Sequence, residues 1–187
     1  MNYRSFRIQA VALLFFTLGF QAISLGDDNP LIKPAGSYSN MRYTEEHAYG
    51  CTIQIWRKGN TLIGFFLSSE GLEGDTPTGL LDKVQFNPKT GQLSFQAKLT
   101  MGSLIGESGK EVPSKDLYEF HGVLTTASLK GHLKHFELAG KKPQVEEEDI
   151  QLKKSKDHSE MEFMEGLKTV KDIQKWAETI KNRMPKW

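Results

Sequence analysis

Three groups of residues in this sequence have side chains that could take part in acid–base or metal chemistry. In Glu45-Glu46-His47, carboxylates lie next to an imidazole, the combination used in general acid–base catalysis. The two imidazoles of His132-x-x-His135 could bind a metal ion if they pointed the same way. The Gly- and Ser-rich loop 68–77 contains several carboxylates, which are the ligands that calcium prefers.

Each group also has a simpler interpretation. Glu45-Glu46-His47 lies between two predicted strands and is typical of a solvated loop. Strand residues three apart point to opposite faces, so we interpret His132 and His135 as surface residues that diverge, unless a bulge near His135 realigns them. The acidic loop matches no recognised calcium-binding spacing. We therefore predict no catalytic residue, no metal site and no cofactor.

No nucleophile elbow, phosphate-binding loop, zinc signature or paired-carboxylate motif occurs in the sequence. Catalytic residues that converge from separate strands would leave no such motif. The sequence thus favours a non-catalytic protein and leaves enzymatic activity open.

The N-terminus has the features of an export signal. Arg4 and Arg7 precede an apolar core at 10–20, and the small residues Ala22-Ile23-Ser24 follow it. This order predicts a secretory signal peptide over residues 1–24 and a secreted or periplasmic protein. The alternative is a retained membrane anchor. Polar residues interrupt the apolar run, so we expect no stable membrane span after signal removal.

Charge and cysteine content narrow the possible partners. Loss of the two arginines of the signal changes the formal net charge from +1 to −1. A near-neutral product argues against nucleic acid as a partner, because a basic surface supplies most of that affinity. Cys51 is the single cysteine, so an internal disulfide is impossible. We interpret Cys51 as a small buried apolar residue.

The rest of the chain is organised around a β-hairpin over Gly50–Ser68 that has two apolar faces. Its turn is Lys58-Gly59-Asn60-Thr61, in which Gly-Asn tolerates the positive φ values of a two-residue loop. Alternation divides the strands into two faces. The face predicted to lie inside carries Cys51, Ile53, Ile55, Leu62 and Phe66. The other face carries Trp56, Ile63, Phe65 and Leu67, which also need a cover.

Further alternating segments and one amphipathic segment supply these covers. We predict a linker at 25–34, an antiparallel β-barrel at 35–156 and an amphipathic helix at 159–184. Ser159 is expected to cap this helix, which covers the outer face of the hairpin. The predicted fold is mainly β, an antiparallel up-and-down barrel or strongly curled sheet of about eight strands with one C-terminal α-helix packed outside.

An export signal, about eight antiparallel strands and a C-terminal helix form an element order that resembles the lipocalin-like, or calycin, proteins. Gly36-Ser37-Tyr38 occupies the place of the lipocalin Gly-x-Trp, with Tyr in place of Trp, and the usual disulfides are absent. The resemblance implies a small hydrophobic ligand inside the barrel.

Large side chains predicted to point inward would line that interior. They are Ile53, Ile55, Phe66, Phe86, Phe95, Phe120 and Leu133. These groups could fill an eight-stranded barrel, or inward glycines such as Gly122 and Gly131 could leave a cavity among them. The first outcome favours a structural or interaction protein, such as an inhibitor or an envelope-associated factor, that binds a protein partner through loops 68–77 and 102–114. The second favours a carrier or sensor of a hydrophobic ligand.

Overall fold

The computed structural model of the protein describes residues 31–72, 76–106, 109–139, 144–180, 185 and 187. The predicted signal peptide and most of the predicted linker lie outside these ranges. Within them the strands are β1 (Lys33–Ser39), β2 (Arg42–Tyr43), β3 (His47–Lys58), β4 (Thr61–Leu72), β5 (Thr78–Phe86), β6 (Gln92–Leu99), β7 (Ser103–Ile105), β8 (Glu111–Pro113), β9 (Asp116–Leu124), β10 (Ser128–Glu137) and β11 (Gln144–Lys154). The helices of these ranges are α1 (His158–Gly166) and α2 (Val170–Thr179).

Eight of these strands form a closed antiparallel barrel. Its order is β1-β11-β10-β9-β6-β5-β4-β3, and the ring closes where β1 pairs with β3. The short strand β2 pairs with β3, and β7 and β8 form a separate two-stranded hairpin. The predicted barrel of about eight antiparallel strands is therefore confirmed.

The first long hairpin, β3–β4, has the predicted register but is longer than predicted. Lys58 lies opposite Thr61 and Trp56 opposite Ile63, as the turn chemistry requires. Each strand has twelve residues. Ser68 and Ser69, which we expected in a loop, are instead buried strand residues.

Apolar side chains fill the middle of the barrel. The buried members of this cluster include Ile53, Ile55, Leu62, Phe66, Leu93, Phe95, Leu99, Phe120, Leu129, Leu133 and Leu152. Tyr38, at the position compared with the lipocalin Trp, is also buried there, and its hydroxyl donates a hydrogen bond to the Thr125 carbonyl at 3.1 Å.

Two inward-facing glycines leave space that the ring of Phe120 fills, so they do not create a cavity. Gly122 and Gly131 lie opposite each other on β9 and β10. A Cβ at either position would come within 2.5–2.7 Å of the Phe120 ring and would also meet backbone of the paired strand. The small residues therefore make the space that the Phe120 side chain occupies.

The C-terminal segment covers the outer face of β3–β4, as predicted. Trp56 and Phe65 are fully buried there against Met164 and Ile173. The Trp56 indole N–H donates to the Met164 carbonyl at 3.0 Å, which fixes α1 on the hairpin. A second apolar cluster thus lies outside the barrel wall.

The prediction of one long C-terminal helix is wrong, because the segment forms two short helices. The chain is extended after Gly166, where Leu31 forms a bridge with Thr169 and the Ile32 N–H donates to the Lys168 carbonyl. Thr169 then begins α2 with a capping box that includes Asp172. Pairing with the chain that precedes β1 therefore interrupts the helical pattern.

Three smaller predictions also differ from the structure. The N-cap of α1 is Asp157 rather than Ser159, and β1 begins at Lys33, inside the predicted linker. Ile32 is buried in the outer cluster, so the end of that linker belongs to the fold. β10 keeps one register against both neighbours, so there is no bulge near His135. Neither described helix has the length and apolar character needed to cross a membrane.

Candidate functional site

A cavity of about 380 Å³ lies at the end of the barrel opposite the β3–β4 turn. We call it the mouth pocket. Its lining residues are Asn40, Gly50, Cys51, Ser68, Ser69, Glu70, Tyr118, Leu133, His135, Glu146, Glu147 and Glu148. Most of these side chains are polar, in contrast to the apolar cluster in the middle of the barrel.

The mouth pocket exists because the barrel wall is open beside β11. β1 pairs with β11 only through Tyr38 with Lys154 and Ser39 with Lys153. After Ser39 the chain turns away from β11 and forms β2, which pairs with β3 instead. Over 144–152, β11 has β10 as its one strand partner among the described residues.

The register of β10 and β11 determines which side chains face this opening. Leu133 lies opposite Glu148 and His135 opposite Glu146, so all four share the inward face. Glu147 and His132 have the outward parity, and Glu147 borders the mouth pocket only because it lies between Glu146 and Glu148. On the outward face Glu147 pairs with Lys134 at 2.8 Å, and His132 lies 3.0 Å from Asp149.

A hydrogen-bonded pair supports the floor of the mouth pocket. His135 stacks on Tyr118 with a ring separation of 4.4 Å, and its Nε2 lies 2.9 Å from Oδ1 of Asp116. Asp116 is 2% exposed and accepts further hydrogen bonds from the Ser114 hydroxyl and the Met101 N–H. The hydrogen bonds from Ser114 and Met101 orient Asp116, and Asp116 and Tyr118 hold the His135 ring in place.

The same pair shifts the pKa of both its members. Burial acts to raise the pKa of Asp116, but the hydrogen bonds from His135, Ser114 and Met101 outweigh it and lower the pKa. Burial acts to lower the pKa of His135, but the hydrogen bond and charge of Asp116 outweigh it and raise the pKa. The ionised pair is therefore the favoured form at mildly acidic pH.

Tyr118 has a buried hydroxyl at the wall of the mouth pocket, and the residue is 3% exposed. Burial raises the pKa of this phenol, and a hydrogen bond with the Ser68 hydroxyl opposes the rise in part. The phenol oxygen itself is inaccessible to solvent. Tyr118 therefore shapes the wall of the pocket without offering its hydroxyl to a bound molecule.

Cys51 lines the mouth pocket as an unreactive thiol. Burial, aided by the charge of Glu148, raises its pKa to about 12. A thiol with such a pKa is protonated at neutral pH and is a poor nucleophile. This agrees with the interpretation of Cys51 as a small buried residue.

Ser114, Asp116 and His135 do not form a nucleophilic triad. The Ser114 hydroxyl donates to Asp116 rather than to the imidazole, and the residue is 4% exposed. Activation of a serine requires a direct hydrogen bond between its hydroxyl and the base. The group therefore positions His135 and does not activate a nucleophile.

The seven predicted lining residues all belong to the apolar cluster in the middle of the barrel or pack against it. Six are buried members: Ile53, Ile55, Phe66, Phe95, Phe120 and Leu133. Leu133 also lies on the wall of the mouth pocket. Phe86 is half-buried and packs against the cluster, with the Arg57 guanidinium 5.4 Å from its ring centre. That these residues bind a ligand stays a prediction.

Sequence reasoning missed the polar residues of the mouth pocket. His135 was interpreted, together with His132, as a surface residue, because strand residues three apart point to opposite faces. Simple alternation from Leu133 places His135 on the inward face, which is where it lies. The two imidazoles of His132-x-x-His135 do diverge, as predicted, and among the described residues no group of His, Cys, Asp or Glu side chains is arranged to bind a metal ion.

The two predicted partner-binding loops are partly structured. Loop 102–114 contains the β7–β8 hairpin, on which Ile105 is 70% exposed. Residues 73–75 and 107–108 of the two loops lie outside the described residues. Glu45-Glu46 forms an exposed turn before β3, in agreement with the loop interpretation.

Comparison with protein-family models, with curated protein sequences and with solved structures finds no significant match. The resemblance to lipocalins thus extends to the β-barrel, and the family assignment stays a prediction.

Proposed function

We propose that this protein is a non-catalytic binding protein that holds a small ligand in the mouth pocket. One observation carries the proposal: a cavity of about 380 Å³ lies at the open end of the barrel and is lined mostly by polar side chains from several strands. Ligand sites have this size and combine an enclosed wall with a few polar groups.

The proposal differs from the one that the sequence suggested. Side chains occupy the middle of the barrel, where a hydrophobic ligand was expected. We therefore place the binding site at the end of the barrel, where the lining is more polar than in the middle. A lipocalin-like carrier or sensor that acts outside the cytoplasm, after removal of residues 1–24, remains part of the proposal.

Native mass spectrometry of the full chain, purified from its natural source, tests for a bound molecule. We expect added mass in the wild type and its loss in Leu133→Trp, which places a larger side chain on the pocket wall. Val145→Trp is the matched control, because Val145 is exposed on the outward face of β11. A wild type that is repeatedly empty and gains no thermal stability from any small molecule would refute the proposal.

A second candidate function is that of an interaction protein, which the exposed Ile105 on the β7–β8 hairpin favours. Ile105→Glu should then abolish co-purification of a partner, whereas Val123→Glu, on exposed β9 surface, should not. Equal recovery of the partner with both variants would count against this function.

A further inference from the structure

We infer that the free edge of β11, over residues 145–151, binds an extended, Lys- and Arg-rich segment of a partner protein as an added β-strand. The binding surface is a strand edge rather than the cavity beside it, so the inference goes beyond the proposed function. The direction of the main-chain groups, the opening in the barrel wall and the charge of the edge support it.

The main-chain groups of alternate β11 residues point away from β10. The Lys154 N–H donates to the Ala127 carbonyl next to β10, whereas the Ser155 N–H donates to the Ser37 carbonyl of β1. Even-numbered residues of β11 therefore bond to β10, and odd-numbered residues face the other side. Before the contact with β1, the N–H and C=O groups on that other side have no hydrogen-bond partner among the described residues. They belong to Val145, Glu147, Asp149 and Gln151.

The opening in the barrel wall lies directly beside this edge. β1 separates from β11 after Ser39, and β2 then follows β3, which is its one strand partner among the described residues. The mouth pocket lies between the two sides of the opening, because its lining includes Asn40 on one side and Glu146 and Glu148 on the other. Exposed strand edges bind extended peptides through main-chain hydrogen bonds. A strand added to β11 would lie in the opening, with alternate side chains over the mouth pocket.

The main-chain edge makes the site, and its charge decides which strand it accepts. Residues 146–149 are four successive acidic residues, all exposed. Within the described ranges, the basic groups that pair with them are Lys134 and His132, and these contact only the outward-facing Glu147 and Asp149. An added strand with Lys or Arg side chains would place opposite charges beside this edge, which stabilises cross-strand pairs.

The same charge disfavours a second copy of this chain as the occupant. If two copies paired antiparallel over the whole of 145–151, Glu147 would lie opposite Asp149 and Glu148 opposite its own counterpart. Registers shifted by two residues would place Glu147 or Asp149 opposite its own counterpart. Like charges directly opposite each other destabilise a strand pair. The edge therefore fits a basic strand of another protein better than it fits itself.

Amide exchange of the full chain, measured by NMR, tests the inference with an end-capped peptide of sequence Lys-Thr-Lys-Val-Lys-Thr-Lys. At saturation we expect the peptide to slow exchange of the four edge-facing amides, at 145, 147, 149 and 151, at least about tenfold. A peptide with Glu in place of each Lys should not bind. Binding of the Lys peptide without this slowing, no binding of it, or equal binding of the Glu peptide would overturn the inference. A free chain that is a dimer with slow exchange at the same amides would also overturn it, because a second copy would then occupy the edge.

Asp149→Pro and Asp149→Asn separate main-chain pairing from attraction of charge. Both variants remove the same charge, but only proline also removes the edge-facing N–H, and it leaves the hydrogen bonds to β10 in place. We expect Asp149→Asn to weaken binding of the Lys peptide about twofold to threefold and Asp149→Pro to weaken it at least about tenfold further, by fluorescence anisotropy. Equal binding to both folded variants would overturn the inference.

A second pair of variants changes no charge. Val145→Pro removes another edge-facing N–H, and Val145→Ala keeps it, so the first should bind the Lys peptide more weakly than the second. Urea unfolding verifies that each variant is folded, and the exchange measurement on wild type needs no variant. The proposed function is decided separately, because a small molecule found in the mouth pocket and lost in Leu133→Trp supports it whether or not the peptide binds.

Discussion

Asp116 and His135 should make the protein less stable both at acidic pH and at alkaline pH. The pKa of Asp116 is lowered from 3.8 on folding, so its contribution is present above that value and is lost as pH falls through the folded pKa. The pKa of His135 is raised from 6.5, so its contribution is present below that value and is lost as pH rises through the folded pKa. Urea unfolding across this range should give greatest stabilisation by the pair between these two values.

His135→Gln provides the control for this dependence. His132 also has a raised pKa, because Asp149 and Glu147 form hydrogen bonds with its ring, so its contribution to stability is also lost as pH rises. The share of this loss that is due to His135 is the difference in free energy of unfolding between wild type and His135→Gln. An identical pH profile in the two proteins would show that the pair with Asp116 does not contribute.

Gly131 tests whether the barrel needs small residues where Phe120 packs. Gly131→Ala should cost about 1–3 kcal/mol, because its Cβ would meet the Phe120 ring and the backbone of β9, which must shift. Gly71→Ala is the matched control: Gly71 also lies in a strand, and nothing lies within 4 Å of a Cβ there. Its effect should stay within about 0.5 kcal/mol in urea unfolding. Equal costs at both sites would contradict the close packing.

At the scale of elements, Trp56 joins the first hairpin to α1. Trp56→Phe should reduce stability by about 2 kcal/mol, because it leaves the Met164 carbonyl unpaired and removes buried apolar surface. Trp176→Phe is the comparison, since Trp176 is half-buried and its indole N–H bonds to no described residue. Its cost should be clearly smaller in the same urea titration. If the two variants were equally unstable, the hydrogen bond would have no separate effect.

The sequence predicted the elements wherever alternation and turn chemistry agreed. The β3–β4 register follows from Gly59-Asn60, and the outer cover follows from the second apolar face. The single long helix was wrong because its interruption depends on a contact far away in sequence. Leu31 and Ile32 pair with the segment between the helices, and no local sequence pattern predicts that pairing.

The mouth pocket was the part that the sequence did not reveal. Its lining comes from Asn40 and from β3, β4, β9, β10 and β11, so its residues meet only once the barrel has closed. His135 was the residue that could have been found, since parity with Leu133 places it inward. The pairing of Asp116 with His135 follows from the register of β9 and β10, which places Tyr118 opposite His135 and Asp116 two residues away on the same face of β9.

For the whole molecule, hydrogen exchange should report the opening beside β11. β9 lies between β6 and β10, so amides over Tyr118–Val123 should all exchange slowly. β11 over Val145–Ile150 is paired on one side only, so alternate amides there should exchange quickly. Residue-resolved exchange by NMR measures this. Uniformly slow exchange along β11 would mean that another chain covers its free side.

The contact between β1 and β11 has a mechanical consequence. Two residue pairs join these strands, whereas twelve pairs join β3 and β4. A sideways pull on the wall would therefore separate β1 from β11 first, while the longer ladders still held. Under tension the molecule would unroll from this line into a nearly flat ribbon rather than tear through its centre.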